Sequence, residues 1–122
     1  MTDPERKCMA VLYRQSLKNK SLKGIRVAEE LNVSRAFVSR VLGTLKSNGM
    51  FLSTEPLIFS EEGLKKAKTE YARAKLISEF LVKRMNATDQ IAWTDALNVM
   101  CALSERNLRA IDYHIRTTEG GI

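Results

Sequence analysis

The stretch RVAEELNVSRAFVSRVLGTLKSNG, residues 26–49, reads as two short helices joined by a tight turn. Local chemistry bounds the second: Ser34 can accept the free amides of a first helical turn, and Gly49 is the residue type that ends a helix. At about 100° per residue, Phe37, Val38, Val41, Leu42 and Leu45 share one half of this helix, while Ala36, Ser39, Arg40, Gly43 and Ser47 share the other. One face is expected in the core, and the opposite face is small, polar and basic. The shorter helix before it turns Ile25, Ala28 and Leu31 inward and stops at Asn32.

Upstream, Asp3-Pro4-Glu5 gives a helix start with Asp3 as the side-chain cap and proline at the first helical position. Cys8, Val11, Leu12 and Leu17 mark one face of a helix to about Leu17, and the loop KNKSLKG follows. Downstream, Met50–Ser53 and Leu57–Phe59 flank Thr54-Glu55-Pro56 as a small hairpin. Ser60-Glu61-Glu62 opens a long helix in which Leu64, Ala67, Tyr71, Ala74, Ser78, Leu81 and Met85 form an inner stripe, widened by Leu76, Ile77 and Phe80. Asn86 ends it, and Thr88 caps a fifth helix carrying Ile91, Ala92, Val99, Met100 and Leu103. Ser104 caps a sixth with Leu108, Ile111 and Ile115, and the tail from Thr117 to Ile122 is expected to fray. The predicted fold is therefore mostly α. A winged helix-turn-helix with a two-stranded wing fills residues 1–62, and residues 63–122 supply a long linker helix and a C-terminal helical dimerisation domain.

The chain of 122 residues carries a net charge of +6, and its distribution is uneven. Residues 1–69 hold thirteen Lys and Arg against seven Asp and Glu, whereas residues 70–122 hold seven of each. The one-sided field suits a polyanion, because neutralising phosphates releases their counterions. An enzyme is not expected: there is one histidine, no Gly-rich phosphate loop, no H-E-x-x-H and no G-x-S-x-G. Apolar runs such as Val99 to Leu103 are far short of a membrane span, and MTDPERK has no signal-peptide character, so a cytoplasmic protein without membrane contact is expected. Cys8 and Cys101 form no CxxC pair, and reduced thiols are the default.

Placed in a helix-turn-helix, the second helix presents Ser34, Arg35, Ala36, Ser39, Arg40, Gly43, Thr44 and Ser47 to the major groove of duplex DNA. Small residues at 36, 39 and 43 allow close approach, while Arg40 can reach guanine acceptors or phosphate. Lys18, Lys20, Lys23, Arg26, Arg35 and Lys46 surround that helix as phosphate contacts. The hairpin has no Lys or Arg and carries Glu55 near its tip, so the wing is expected to add little grip. The second half, with no net charge and a surplus of apolar positions, fits a homodimer through Leu76, Phe80, Ile91, Val99, Leu103, Leu108, Ile111 and Ile115. The plainer alternatives are a solvated face on a helical bundle, and C-terminal helices that fold back within a monomer.

With Tyr13, RVAEELNVS at 26–34, LIFSEEGLKKA at 57–67 and ALSERN at 102–107, residues 5–116 resemble the iron- and manganese-dependent repressors of the DtxR/MntR type. The resemblance implies a dimeric DNA-binding transcription regulator, a repressor by that likeness, whose second domain holds the dimer interface. It also places the family's metal ligands near Lys7, at Lys75 and Glu79, and at approximately Trp93, Leu97, Met100 and Cys101. Lys, Trp and Leu cannot coordinate a hard divalent cation, so no metal cofactor is expected. The resemblance brings Cys8-Met9 near Met100-Cys101, a donor set for Cu(I) or a reversible disulfide, although Cys and Met at helical spacing more commonly fill core. Tyr71 and Trp93 likewise suit a small-molecule pocket or ordinary packing. Two other functions remain open: a small-ligand- or thiol-responsive regulator of the MarR or PadR kind, and a protein-interaction module on a helix-turn-helix scaffold. A steep fall of DNA affinity with salt separates the regulators from the module.

Overall fold

A computed structural model describes residues 1–18 and 21–120, with side chains as far as 117. Its elements are α1 (Asp3–Leu17), α2 (Gly24–Leu31), α3 (Arg35–Ser47), β1 (Phe51–Thr54), β2 (Leu57–Phe59), α4 (Glu61–Met85), α5 (Asp89–Ala102) and α6 (Glu105–Gly120). They fall into two compact units, residues 1–71 and 72–122, so the first eleven residues of α4 stay with the N-terminal unit.

Thr2, rather than Asp3, caps α1. Its hydroxyl accepts the Glu5 amide at 3.3 Å and donates to the Glu5 carboxylate at 3.0 Å, leaving Asp3 as a first-turn acid. Residues 8–12 are all buried, whereas Leu17, expected inside, is 54% exposed at the end of the helix. In α2 the inner residues are Val27 and Ala28; Ile25 is exposed and Leu31 half-buried, so its inner face is rotated from the expected one. Asn32 ends α2 in the left-handed conformation, its amide returning to the carbonyls of Ala28 and Glu29.

Helix α3 follows its sequence pattern. Ser34 caps it by accepting the Phe37 amide at 3.0 Å, and Gly49, at φ +83°, turns the chain out after Asn48. Val38, Val41, Leu42 and Leu45 are buried, while Phe37 is only half-buried. The wing strands pair antiparallel with Phe51 opposite Phe59 and Thr54 opposite Leu57, and an irregularity lies between Phe51 and Ser53. The Phe51 and Phe59 rings stack at 5.2 Å, Phe51 and Leu57 are buried, and Leu52 points out.

Ser60 joins α3, the wing and α4. Its hydroxyl donates to the Gly49 carbonyl at 2.5 Å and accepts the Gly63 amide at 2.9 Å, and its own amide bonds the Met50 carbonyl at 3.0 Å. The buried stripe of α4 is Gly63, Ala67, Glu70, Ala74 and Ile77: Ala67, Ala74 and Ile77 were expected there, whereas Gly63 and Glu70 take the places of Leu64 and Tyr71. Leu64 and Met85, expected inside, are 46% and 66% exposed. A carboxylate can occupy that stripe because the Arg6 Nε donates to Glu70 Oε2 at 3.0 Å.

In the second unit, α5 buries Ala92, Trp93, Ala96, Leu97 and Met100 and leaves Ile91 and Val99 exposed. Helix α6 continues to Gly120 through most of the segment expected to fray. Within this unit Arg73 pairs with Glu105, and Phe80 meets His114 edge-on at 6.4 Å.

Candidate nucleic-acid interface

The outward face of α3 is built from residues that have no part in the core. Ser34, Arg35, Ala36, Ser39, Arg40, Gly43, Thr44, Lys46 and Ser47 are all exposed. Around Gly43 the space is open, since a methyl group placed there would meet nothing within 4 Å. The hydroxyls of Thr44 and Ser47 donate to the carbonyls of Arg40 and Gly43, each at 3.1 Å, so they lie against the helix and keep acceptor capacity outward. The result is a low ridge with two long cations, Arg35 and Arg40, standing above it.

Of the phosphate candidates, Lys18 and Lys23 are exposed at the end of α1 and the start of α2. Arg26 is half-buried and donates to the Ser21 carbonyl at 3.2 Å, so part of its guanidinium is committed to holding the loop. Lys20 lies outside the described residues. Buried Gln15 accepts the Lys23 amide at 3.3 Å and so fixes where α2 begins.

Two adjoining clefts, not foreseen from the sequence, flank the N-terminus of α2. One, of about 740 Å³, lies between the α1–α2 loop and the wing tip, lined by Leu22, Lys23, Leu42, Thr54, Glu55 and Pro56 among others. The other, of about 420 Å³, lies between α3 and the wing, with Arg35, Ser39 and Gly43 facing Thr54 and Glu55. Glu55 is thus on the same side of the unit as the exposed face of α3. Its place near the hairpin tip and the hairpin's lack of cations were legible in the sequence, but its position facing α3 was not.

Lys75 Nζ pairs with Glu79 Oε1 at 3.9 Å, and Trp93, Leu97 and Met100 are buried. Among the described residues no group of three or more His, Cys, Asp or Glu side chains is gathered to hold an ion. Cys8 is fully buried, and burial, with a smaller contribution from the Glu5 charge, pushes its thiol pKa up from 9.0 to about 12. Cys101 is half-buried, with Sγ 3.6 Å from the Leu97 carbonyl oxygen. Tyr71 packs on Tyr13 with ring centroids 5.2 Å apart.

Of the residues expected at a dimer interface, Leu108 and Ile115 are buried within the chain and Leu76, Phe80, Leu103 and Ile111 are half-buried, while Ile91 is 58% and Val99 37% exposed. Among the described residues no helix is long and apolar enough to cross a membrane.

Among the described residues, six helices and one two-stranded antiparallel sheet in this order make a winged helix-turn-helix fold. The solved structure of the manganese regulator SloR is similar to it, with a TM-score of 0.76 at 20% sequence identity, covering 95% of this chain and 55% of that one. The chain thus shares the fold of that structure and spans about half its length. No family model matches the sequence, and no curated protein matches it.

Proposed function

We propose that this chain is a DNA-binding transcription regulator that reads duplex DNA through α3. The observation that carries the reading is the division of that helix: four apolar side chains anchor one face, while the other is bare, small and cationic. In this reading residues 1–62 bind DNA and residues 63–122 pair two copies, with Ile91 and Val99 at the centre of the contact. Two α3 helices about one DNA turn apart then read a palindromic site as a repressor in the cytoplasm.

No divalent metal is part of the proposal. The lysine–carboxylate pair at Lys75 and Glu79 and the apolar side chains at 93, 97 and 100 offer no donor set for Mn²⁺ or Fe²⁺. Nor does Cys8 suit a soft ion or a disulfide, since its thiolate is strongly disfavoured. The cleft at the wing tip favours a second reading, in which a small ligand bound beside α2 controls DNA binding in the manner of MarR or PadR regulators.

Selection of genomic fragments with purified protein, followed by a salt titration of the recovered duplex, tests the function. Affinity should fall with a log–log slope near −0.9 for each neutralised phosphate. A chain that binds no duplex in dilute buffer would be an interaction module instead.

A further inference from the structure

We propose that Arg6 and Glu70 are positioning residues that set the spacing between the two DNA half-sites read by a dimer of this chain. The proposal rests on the dimeric DNA-binding reading above. Helix α4 starts inside the N-terminal unit and runs unbroken to Met85, so the direction in which it leaves that unit is a geometric property of residues 61–71. Those residues are tied at both ends. At the start, Ser60 bonds Gly49 and Met50, and Gly63 lies against the Met50 carbonyl. At the far end, Arg6 Nε donates to Glu70 Oε2 at 3.0 Å, and one residue on, Tyr71 packs against Tyr13. A helix held at one end pivots, whereas one held at two points about 10 Å apart along its axis does not.

The choice of an ion pair for the second tie has a consequence. The Glu70 side chain is 5% exposed and that of Arg6 17%, so both charges are largely out of water. Such a pair adds little stability over an apolar pair of similar volume, but it demands one distance and one angle, while apolar side chains tolerate sliding. From Glu70 to Met85 is about 22 Å of helix, and a swing of about 10° moves its far end by about 4 Å, close to one base-pair step. The pair therefore does little for folding and much for aim.

The test uses the full chain and a selected duplex in three forms: one half-site alone, both half-sites at the selected spacing, and both shifted by one or two base pairs. Binding is read by fluorescence anisotropy beside a urea unfolding curve. For the unaltered protein a two-base-pair shift rotates one half-site by roughly 70° and should lower affinity at least about tenfold. The double variant Arg6→Met/Glu70→Leu should unfold cooperatively and bind a single half-site within about twofold of the original, yet lose less than about threefold on the same shift. Retention of the original spacing profile by a folded variant overturns the proposal. Should the double variant fail to fold, Glu70→Met, which keeps similar volume but removes both acceptors and lets the partly exposed Arg6 turn to water, is read in the same two assays with the same expected and overturning results. Failure of the unaltered protein to bind a single half-site counts against the DNA-binding reading itself, a different result from unchanged spacing preference.

Discussion

Gly63 faces the carbonyl oxygen of Met50 so closely that a β-carbon at position 63 would overlap it. The oxygen cannot retreat freely, because it also accepts the Ser60 amide at 3.0 Å. Gly63→Ala should therefore destabilise the protein by about 1–3 kcal/mol, although alanine is the better helix former. Urea unfolding at constant m-value measures it. A variant as stable as the original would mean that α4 shifts along the wing without penalty.

Gly43 makes the opposite case. It sits in the interior of α3 with open space where a β-carbon would be, so Gly43→Ala should raise stability by about 0.8–1 kcal/mol. A glycine that weakens its own helix and packs against nothing in the chain is explained by what approaches from outside. The same substitution should lower affinity for the selected duplex, so stability and DNA affinity move in opposite directions. Joint improvement of both would show that α3 does not approach the groove closely.

The two glycines also show which features are legible in the sequence. The bounds of α3 were, because Ser34 and Gly49 act on amides and carbonyls within a few residues of themselves. Its two faces were equally plain, because one is apolar and the other is not. The inner face of α4 was legible only in part, at Ala67, Ala74 and Ile77. Its inner face carries a glycine chosen for contact with Met50 and a carboxylate answered by Arg6, sixty-four residues away, and an apolar stripe drawn through Leu64 passes both by. In α5 apolar residues lie on every side, so periodicity alone does not separate buried Trp93 and Leu97 from exposed Ile91 and Val99. The start of α1 differed by a single residue for a related reason: Asp3 beside Pro4 is a good cap on paper, but Thr2 has Glu5 at the right distance for a reciprocal bond. The clefts beside α2 arise from the wing tip closing over a loop distant in sequence, and no local pattern encodes that.

Arg40 stands exposed on the outward face of α3 with its backbone carbonyl held by Thr44. Arg40→Ala should weaken binding to the selected duplex by about 1–3 kcal/mol and relax discrimination at one base position, with stability little changed. Competition among duplexes substituted one position at a time separates base reading from phosphate contact. A uniform loss across all of them would assign Arg40 to the backbone, and no loss at all would remove α3 as the reader.

Divalent metal is expected to leave DNA binding alone. Titrating Mn²⁺ or Fe²⁺ into the anisotropy assay, after chelator treatment, should move the dissociation constant by less than about twofold, since Lys75 already supplies the cation that Glu79 faces. A tenfold gain in affinity on adding either ion would show a ligand set that these side chains do not suggest.

The buried thiol of Cys8 makes stability depend on alkaline pH. In the folded chain it holds its proton up to about pH 12, while the unfolded chain releases it near its ordinary value of 9.0. Between those limits the folded state binds the additional proton, so stability should fall as pH rises, by up to about 1.4 kcal/mol per pH unit from this group. Below pH 9 the group contributes no slope. Lysines and tyrosines titrate in the same window, so the measurement is the difference between the unaltered protein and Cys8→Ala, which should be less stable at pH 7 from the lost packing but flatter between pH 9 and 11. Alkylation at pH 8 gives an independent reading: half-buried Cys101 should label in the native state and Cys8 only after unfolding. Native labelling of both thiols at similar rates would return Cys8 to consideration as a redox or soft-metal group.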